Sequence, residues 1–352
     1  MSDQKKILLI LTPGFPKSEA DSTCLPMQQS LVSALQRNFP QVKIIVLSFQ
    51  YPYHRQTYQW HGITVMSFGG ENKGGMQKLW LRRQLNRRLK TLRNNNTIIG
   101  LLSFWYGECA LVGKRFADKY QLKHFCWILG QDARKENAYP NNVKINPGEL
   151  IALSDFLQDE FESNHKARPQ HVIPPGIDIA AYPSTANKRN IDILGAGSLI
   201  PLKQFDIFIE TVAVLKKQLP QLKAMLVGNG PEKEALQKLV AQNGLQNNII
   251  FTGELEHPDV LRLMQDTKIF LHPSSYEGFS GVCQEALHSG AHVISFCRAM
   301  KMEIDQWHIV QDKEAMARKA LDLLQNPGTI YKPVNFFSID ETANKMMALF
   351  TG

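Results

Sequence analysis

Short apolar runs, rich in β-branched residues and leucine, alternate with stretches of helical periodicity along nearly the whole chain. A strand that is apolar at every position is buried on both faces. Such strands separated by helices build parallel sheets with helices on each side. In the first half the runs are 7–12, 42–49, 63–68, 97–104, 124–129 and 150–154, with helical stretches at 24–38, 76–93 and 108–120. In the second half the runs are 191–195, 223–228, 249–252, 269–272 and 292–296. Helices are expected there over 203–218, 231–243, 258–266, 280–289 and 312–324, with Pro231 at a first helical position. A last helix is expected over 339–350, capped by Ser338 or Asp340.

Ile173-Pro174-Pro175-Gly176-Ile177-Asp178 and a polar stretch up to Asn190 separate the halves. The 352 residues leave room for two domains. The expected fold class is therefore α/β, with two Rossmann-like domains facing across a cleft. The expected divisions are 1–174, 175–334 and a terminal helix in 335–352 that returns to the first domain. No apolar run approaches the ~20 residues needed to cross a bilayer. Lys5 and Lys6 precede the apolar residues 7–11 as in a signal peptide, but the run is too short and reads as a core strand. The cysteines at 24, 109, 126, 283 and 297 are odd in number and form no C-x-x-C pair. That argues for a reducing, cytoplasmic setting and against a disulfide framework or a cysteine zinc site.

In open α/β sheets ligands sit outside the carboxyl ends of the strands. The turn with most chemistry at such an end is Ser274-Ser275-Tyr276-Glu277-Gly278-Phe279-Ser280-Gly281-Val282-Cys283-Gln284-Glu285-Ala286. A strand ends, a carboxylate and a glycine follow, and a helix begins. Gly278 lets a ligand approach the backbone, and the helix start at Phe279 and Ser280 suits an anion. Glu285 lies one turn further in. Two carboxylates beside an anion-binding helix end suit a ligand with both hydroxyls and phosphates.

The spacing Glu277-x7-Glu285 in this setting resembles the signature of retaining glycosyltransferases of family 4, the glycosyl transferases group 1 of GT-B fold. Pro175-Gly176-Ile177-Asp178, Gly195-Ala196-Gly197 with Lys203, Gly228-Asn229-Gly230-Pro231-Glu232 and Thr252-Gly253-Glu254-Leu255 resemble further stretches of that family, in the same chain order. The resemblance implies that Glu277 contacts the transferred sugar and Glu285 the ribose hydroxyls of the nucleotide. It implies that Lys203 neutralises the departing diphosphate and that Gly228 lies near the nucleotide. Trp127-Ile128-Leu129-Gly130-Gln131-Asp132 is similar to a strand end that makes Asp132 an acceptor or sugar contact, and Gly14 stands in the loop beside the donor phosphates. No obligatory metal and no cofactor besides the nucleotide-sugar donor are implied.

The chain departs from the family pattern at several points. Position 198 is Ser where the family usually has Arg, and position 129 is Leu where it often has His. Residues 298–303 lack the usual paired glycines, although Glu303 matches and Arg298 can supply a cation. The loop at 12–17 keeps Gly14 alone of another pair. Ile200 stands where a dinucleotide fingerprint needs its third glycine, so an NAD site is not indicated.

The net charge of +8 is concentrated in one segment. Lys73, Lys78, Arg82, Arg83, Arg87, Arg88, Lys90 and Arg93 stand against Glu71 between residues 71 and 97. Leu81, Leu85, Leu89 and Leu92 form one helical stripe, with Trp80 beside it. A helix over 76–93 can lie on an anionic membrane surface, peripheral on its inner face, or pack on the core with a solvated basic face. No nucleic-acid-binding motif is present. The expected activity is transfer of a sugar, with retention, from a nucleotide sugar to a hydroxyl of a glycan or lipid-linked acceptor. A non-catalytic nucleotide-sugar binder and a nucleotide-sugar epimerase are the alternatives.

Overall fold

The computed structural model describes residues 6–22, 24–179, 182 and 188–352. Lys5 and part of the polar stretch before Asn190 lie outside the described residues. Two compact units result: unit 1 is Met1–Gly176 together with Phe337–Gly352, and unit 2 is Ile177–Phe336.

Unit 1 carries strands β1 (Lys6–Gly14), β2 (Lys43–Tyr51), β3 (Gln56–Trp60), β4 (Ile63–Ser67), β5 (Thr97–Phe104), β6 (His124–Ile128), β7 (Leu150–Ala152) and β8 (His171–Val172). Their order is β3-β4-β2-β1-β5-β6-β7-β8, parallel throughout except for the antiparallel β3–β4 pair. Its helices are α1 (Pro26–Asn38), α2 (Gly75–Asn95), α3 (Glu108–Tyr120), α4 (Tyr139–Asn142), α5 (Asp155–His165) and α11 (Ile339–Thr351). Ile7, Leu9, Leu11 and Leu101 face α2 and α3. Gly100, pointing the other way, meets α11, where an added Cβ would lie 2.3 Å from the Phe350 ring. The sheet is thus covered on both faces, which explains why β1 is apolar without alternation. Ser338 caps α11 in a reciprocal capping box with Glu341.

Unit 2 carries β9 (Ile191–Ala196), β10 (Ala224–Val227), β11 (Ile249–Gly253), β12 (Thr267–His272), β13 (His292–Ser295) and β14 (Trp307–Ile309), with α6 (Phe205–Lys216), α7 (Lys233–Gln242), α8 (His257–Gln265), α9 (Gly281–His288) and α10 (Lys313–Gln325). The order β11-β10-β9-β12-β13-β14 is wholly parallel. Ile269 and Leu271 pack with α6, α7 and α10, while Phe270 between them packs with α8 and α9. The chain moves outward from β9 to β11 and then returns to β12 on the other side of β9. That reversal is the topological switch point, where a doubly wound sheet binds its ligands.

Three helix starts come two residues later than expected, the first being that of α1, at Pro26 rather than Cys24. Lys203 does not open a helix. It closes a 3-10 turn, Pro201–Lys203, and α6 begins only after Gln204 turns left-handed at φ 49°. Pro231 lies in the turn before α7, which starts at Lys233. The leucine stripe of α2 is buried in unit 1, so it is Met76, Leu79 and Trp80 that are exposed, Trp80 by 59%.

Candidate functional site

The switch point of unit 2 is where the loops after β9 and β12 meet. Pro201 and the 3-10 turn bring the Leu202 carbonyl to the second loop, where it accepts from the Ser275 N–H at 3.0 Å, Ser274 Oγ at 3.1 Å and Ser275 Oγ at 3.2 Å. Lys203 is thereby held beside Glu277, and its ammonium pairs with Glu277 Oε1. His272, the last residue of β12, places Nε2 3.0 Å from the same oxygen and 3.2 Å from Ser280 Oγ. Ser280 in turn caps α9, its Oγ accepting from the Cys283 N–H at 3.4 Å.

The electrostatics follow from this geometry. Burial alone would raise the Glu277 carboxyl. The hydrogen bond and proximity of His272 and the Lys203 ammonium outweigh it and hold the group at about 2. His272 is wholly buried, so its imidazolium is disfavoured; Lys203 acts in the same direction, and Glu277 opposes both without reversing the downward shift. Glu277 is thus held ionised first by its hydrogen bond from His272 and then by the Lys203 ammonium. Glu285, in the second turn of α9, has its own partner: Oε1 lies 2.8 Å from His257 Nε2 of α8. That bond raises His257 above its ordinary value, against burial.

Two glycines make the neighbouring loop possible. Gly197 and Gly228 have φ of +148° and +134°, and a Cβ on Gly228 would lie 1.9 Å from the Gly197 carbonyl oxygen. Close beside them the Leu199 N–H donates to the Asn229 carbonyl at 2.9 Å. Gly228 thus serves first to let the loops after β9 and β10 touch. Gly278 lies in the turn between Glu277 and α9. The Phe279 ring is buried, 6.1 Å from Trp307 and 6.5 Å from Phe336 between centroids, so its side chain belongs to the core.

Asp132 and Gly14 belong to unit 1. Asp132 is buried, and its oxygens accept the N–H groups of Tyr106 at 2.8 Å, Leu129 at 3.0 Å and Gly130 at 2.7 Å. Burial pushes its carboxyl up to about 6 against those three donors. Its observed work is to tie the turn after β5 to the end of β6. Gly14 ends β1; a Cβ there would find only ordinary contacts, the nearest being Tyr51 Cβ at 3.7 Å. His272 and His257 were not singled out from the sequence. The only signal for His272 is its place at the end of an apolar strand before an acidic turn, and nothing local links His257 to Glu285.

Residues 180–335 match the family model of the glycosyl transferases group 1, so unit 2 is a domain of that type. An uncharacterized glycosyltransferase of Bacillus subtilis (strain 168) is 26% identical over 191 residues, which are 50% of this chain and 50% of that protein. The MMP alpha-(1->4)-mannosyltransferase of Mycolicibacterium hassiacum is 28% identical over 153 residues, 42% of this chain and 36% of that one. The chain thus matches half or less of the length of these curated relatives. Among solved structures, HepE of Anabaena in complex with UDP and glucose superposes with a TM-score of 0.72 at 18% identity, covering 99% of both chains. Sucrose-phosphate synthase from Thermosynechococcus elongatus gives 0.70 at 16% identity, covering 99% of this chain and 95% of that one. The fold, with its two parallel-sheet units, is that of the GT-B glycosyltransferases.

Proposed function

We propose that the chain moves a hexose-type sugar from a nucleoside-diphosphate donor to a hydroxyl of a glycan or lipid-linked acceptor, with retention at the anomeric carbon. The observation that carries this is the Lys203–Glu277 pair at the switch point of a group 1 domain. A donor placed there exchanges that pair for better-matched partners: Lys203 takes the diphosphate and Glu277 the sugar hydroxyls. Glu285 takes the ribose. The bond from the anomeric carbon to the phosphate oxygen breaks as the bond to the acceptor oxygen forms on the same face. Attack from the face that the leaving group vacates brings the acceptor hydroxyl to the departing diphosphate oxygen, and its proton goes there. Lys203 stabilises the charge that develops on it, as preorganised cations do.

The test is turnover of the full chain with UDP-, GDP- and ADP-hexoses, with the product configuration read by NMR. Release of nucleoside diphosphate with a retained linkage is expected, at a rate that EDTA leaves unchanged. An inverted product would sink the retaining assignment. Epimerised donor in the absence of acceptor would make the chain an isomerase. Loss of rate in EDTA, restored by Mg²⁺, would show that Lys203 does not suffice for the leaving group.

A lipid-linked acceptor is favoured by one surface. Met76, Leu79 and Trp80 are exposed beside Arg83, Arg87 and Lys90 on α2. Arg82 and Arg88 instead turn inward, to Glu108 and to Met66 Sδ. No helix among the described residues is long and apolar enough to cross a membrane. Docking is therefore interfacial in this proposal, with Trp80 in the headgroup layer. At about 1 kcal/mol per surface cation, reversing Arg83, Arg87 and Lys90 together should weaken sedimentation with anionic vesicles at least roughly a hundredfold. Equal sedimentation with neutral vesicles would remove the electrostatic account.

A further inference from the structure

Unit 1 has a cavity of its own at the carboxyl ends of its strands. It encloses about 350 Å³ and is lined by Gln50 at the end of β2, Lys73 and Lys78 around the start of α2, Trp105 after β5, Glu108 at the start of α3, and Tyr139. β1 has β2 on one side and β5 on the other, so the cavity lies at the switch point of the eight-stranded sheet.

Two features of the wall bear on what the cavity can bind. The first is Trp105, whose φ is +62°. An aromatic residue is disfavoured in that region, where glycine is at ease. The surroundings enforce it: the Trp105 N–H donates to the Trp127 carbonyl at 3.0 Å, its carbonyl accepts from the Gly107 N–H at 2.8 Å, and Asp132 holds the next N–H. A strained backbone kept in place this firmly marks a side chain that is wanted where it is. The second is an ionic cluster. Glu108 Oε2 accepts from Arg82 Nη2 and Tyr139 Oη, each at 2.9 Å, and lies 3.1 Å from Lys78 Nζ. Lys78 also donates to Tyr139 Oη at 2.9 Å and stands 5.3 Å above that ring. Two cations face one carboxylate, leaving one positive charge in excess. Burial pushes the Glu108 carboxyl up, but Arg82, Tyr139 and Lys78 bring it below the usual range. Clamped in this way, Glu108 is a poor base. It is a positioning residue that fixes Lys78 at the cavity wall.

Resting on the transferase reading above, we propose that this cavity takes the acceptor, and that the acceptor is a hydroxylated ring carrying a phosphate or carboxylate. The apolar face of the ring lies on Trp105, and the anion lies against Lys78. A neutral acceptor would leave the excess charge without use. A flexible ammonium with donors to spare meets a phosphate or carboxylate as a point charge.

The experiment is calorimetric titration of the full chain with glucose 6-phosphate, glucuronate and glucose, with UDP and with UDP-, GDP- and ADP-hexoses titrated into the same preparations. The two acids should bind about tenfold or more tightly than glucose, as a charge-assisted hydrogen bond gives. Lys78→Met should remove that preference and leave glucose and UDP binding unchanged, while Lys78→Arg should keep most of it. Trp105→Gly, which releases the left-handed backbone, should melt no lower than the parent and bind all three sugars roughly three- to tenfold more weakly. Equal affinities for glucose and glucose 6-phosphate would overturn the proposal, as would Lys78→Met with undiminished preference. If UDP binds and the acids show no preference, the cavity assignment fails alone. If UDP and nucleotide sugars do not bind at all, the transferase reading fails with it.

Discussion

Glu277→Gln should lower the rate of sugar transfer by about two to three orders of magnitude, the usual loss when one preorganised electrostatic contact to the reacting centre is removed. The amide keeps the shape of the carboxylate and can still accept from His272. It cannot balance the Lys203 ammonium or the positive charge that grows on the sugar. The loss should appear in kcat and kcat/KM alike, because the contact matters most in the transition state. Donor affinity, read by thermal shift with UDP-hexoses, should change much less. The fold should survive, since Lys203 is partly exposed and can turn to water. The same substitution has a signature in pH. A carboxyl held at about 2 when folded and near 4.3 when unfolded stabilises the fold above pH ~4.3. That contribution is lost as the pH falls through the folded value. The melting temperature of the parent should therefore fall between about pH 4.3 and 2 more steeply than that of Glu277→Gln. A variant that transfers sugar within a few-fold of the parent would remove Glu277 from the chemistry.

Gly228→Ala should be the most damaging single methyl in unit 2. The new carbon would lie 1.9 Å from the Gly197 carbonyl oxygen, at a φ of +134° that L residues rarely adopt. The atoms it would meet all belong to the Gly197 backbone, so no side chain can move aside. Relief requires the loops after β9 and β10 to separate, which would break the Leu199–Asn229 hydrogen bond and carry Lys203 away from Glu277. Strain of this kind costs about 3 kcal/mol or more. For a domain of this size that corresponds to a melting point lower by roughly 6–12 °C. Gly62→Ala is a fair control: φ is +77° there too, but nothing lies within 4 Å of the new carbon. If Gly228→Ala melted no lower than this control, the account of the nested loops would be wrong.

The central strands were legible because burial on both faces leaves a continuous apolar run; for β5 the expected and observed bounds coincide at Thr97–Phe104. Edge strands lack that two-sided burial. In β3 only Trp60 is buried, and β14 is three half-buried residues, so neither has a run to read. At the site, the order of motifs along the chain pointed to Glu277, Lys203 and Gly228. The turn that actually presents Lys203 did not show, because a 3-10 turn and a left-handed Gln204 leave no periodic trace. His272 and His257 were hidden for a different reason. Their partners are chosen by tertiary packing, and His257 and Glu285 are 28 residues apart on separate helices. The cations of α2 are plain in the sequence, but tertiary packing decides that Arg82 is spent on Glu108.

One consequence lies in the order in which the chain is made. Unit 1 is completed by Phe337–Gly352, which emerge only after all of unit 2. α11 supplies Ile339, Met346, Met347 and Phe350 to the face on which α1 lies. At typical synthesis rates of ~5–20 residues per second, the first sheet must wait roughly 8–30 s for that cover. During that interval unit 2 can close on itself while the earlier-made unit stays open along one apolar flank. Nascent chains should therefore be most vulnerable to aggregation between completion of unit 2 and the docking of α11.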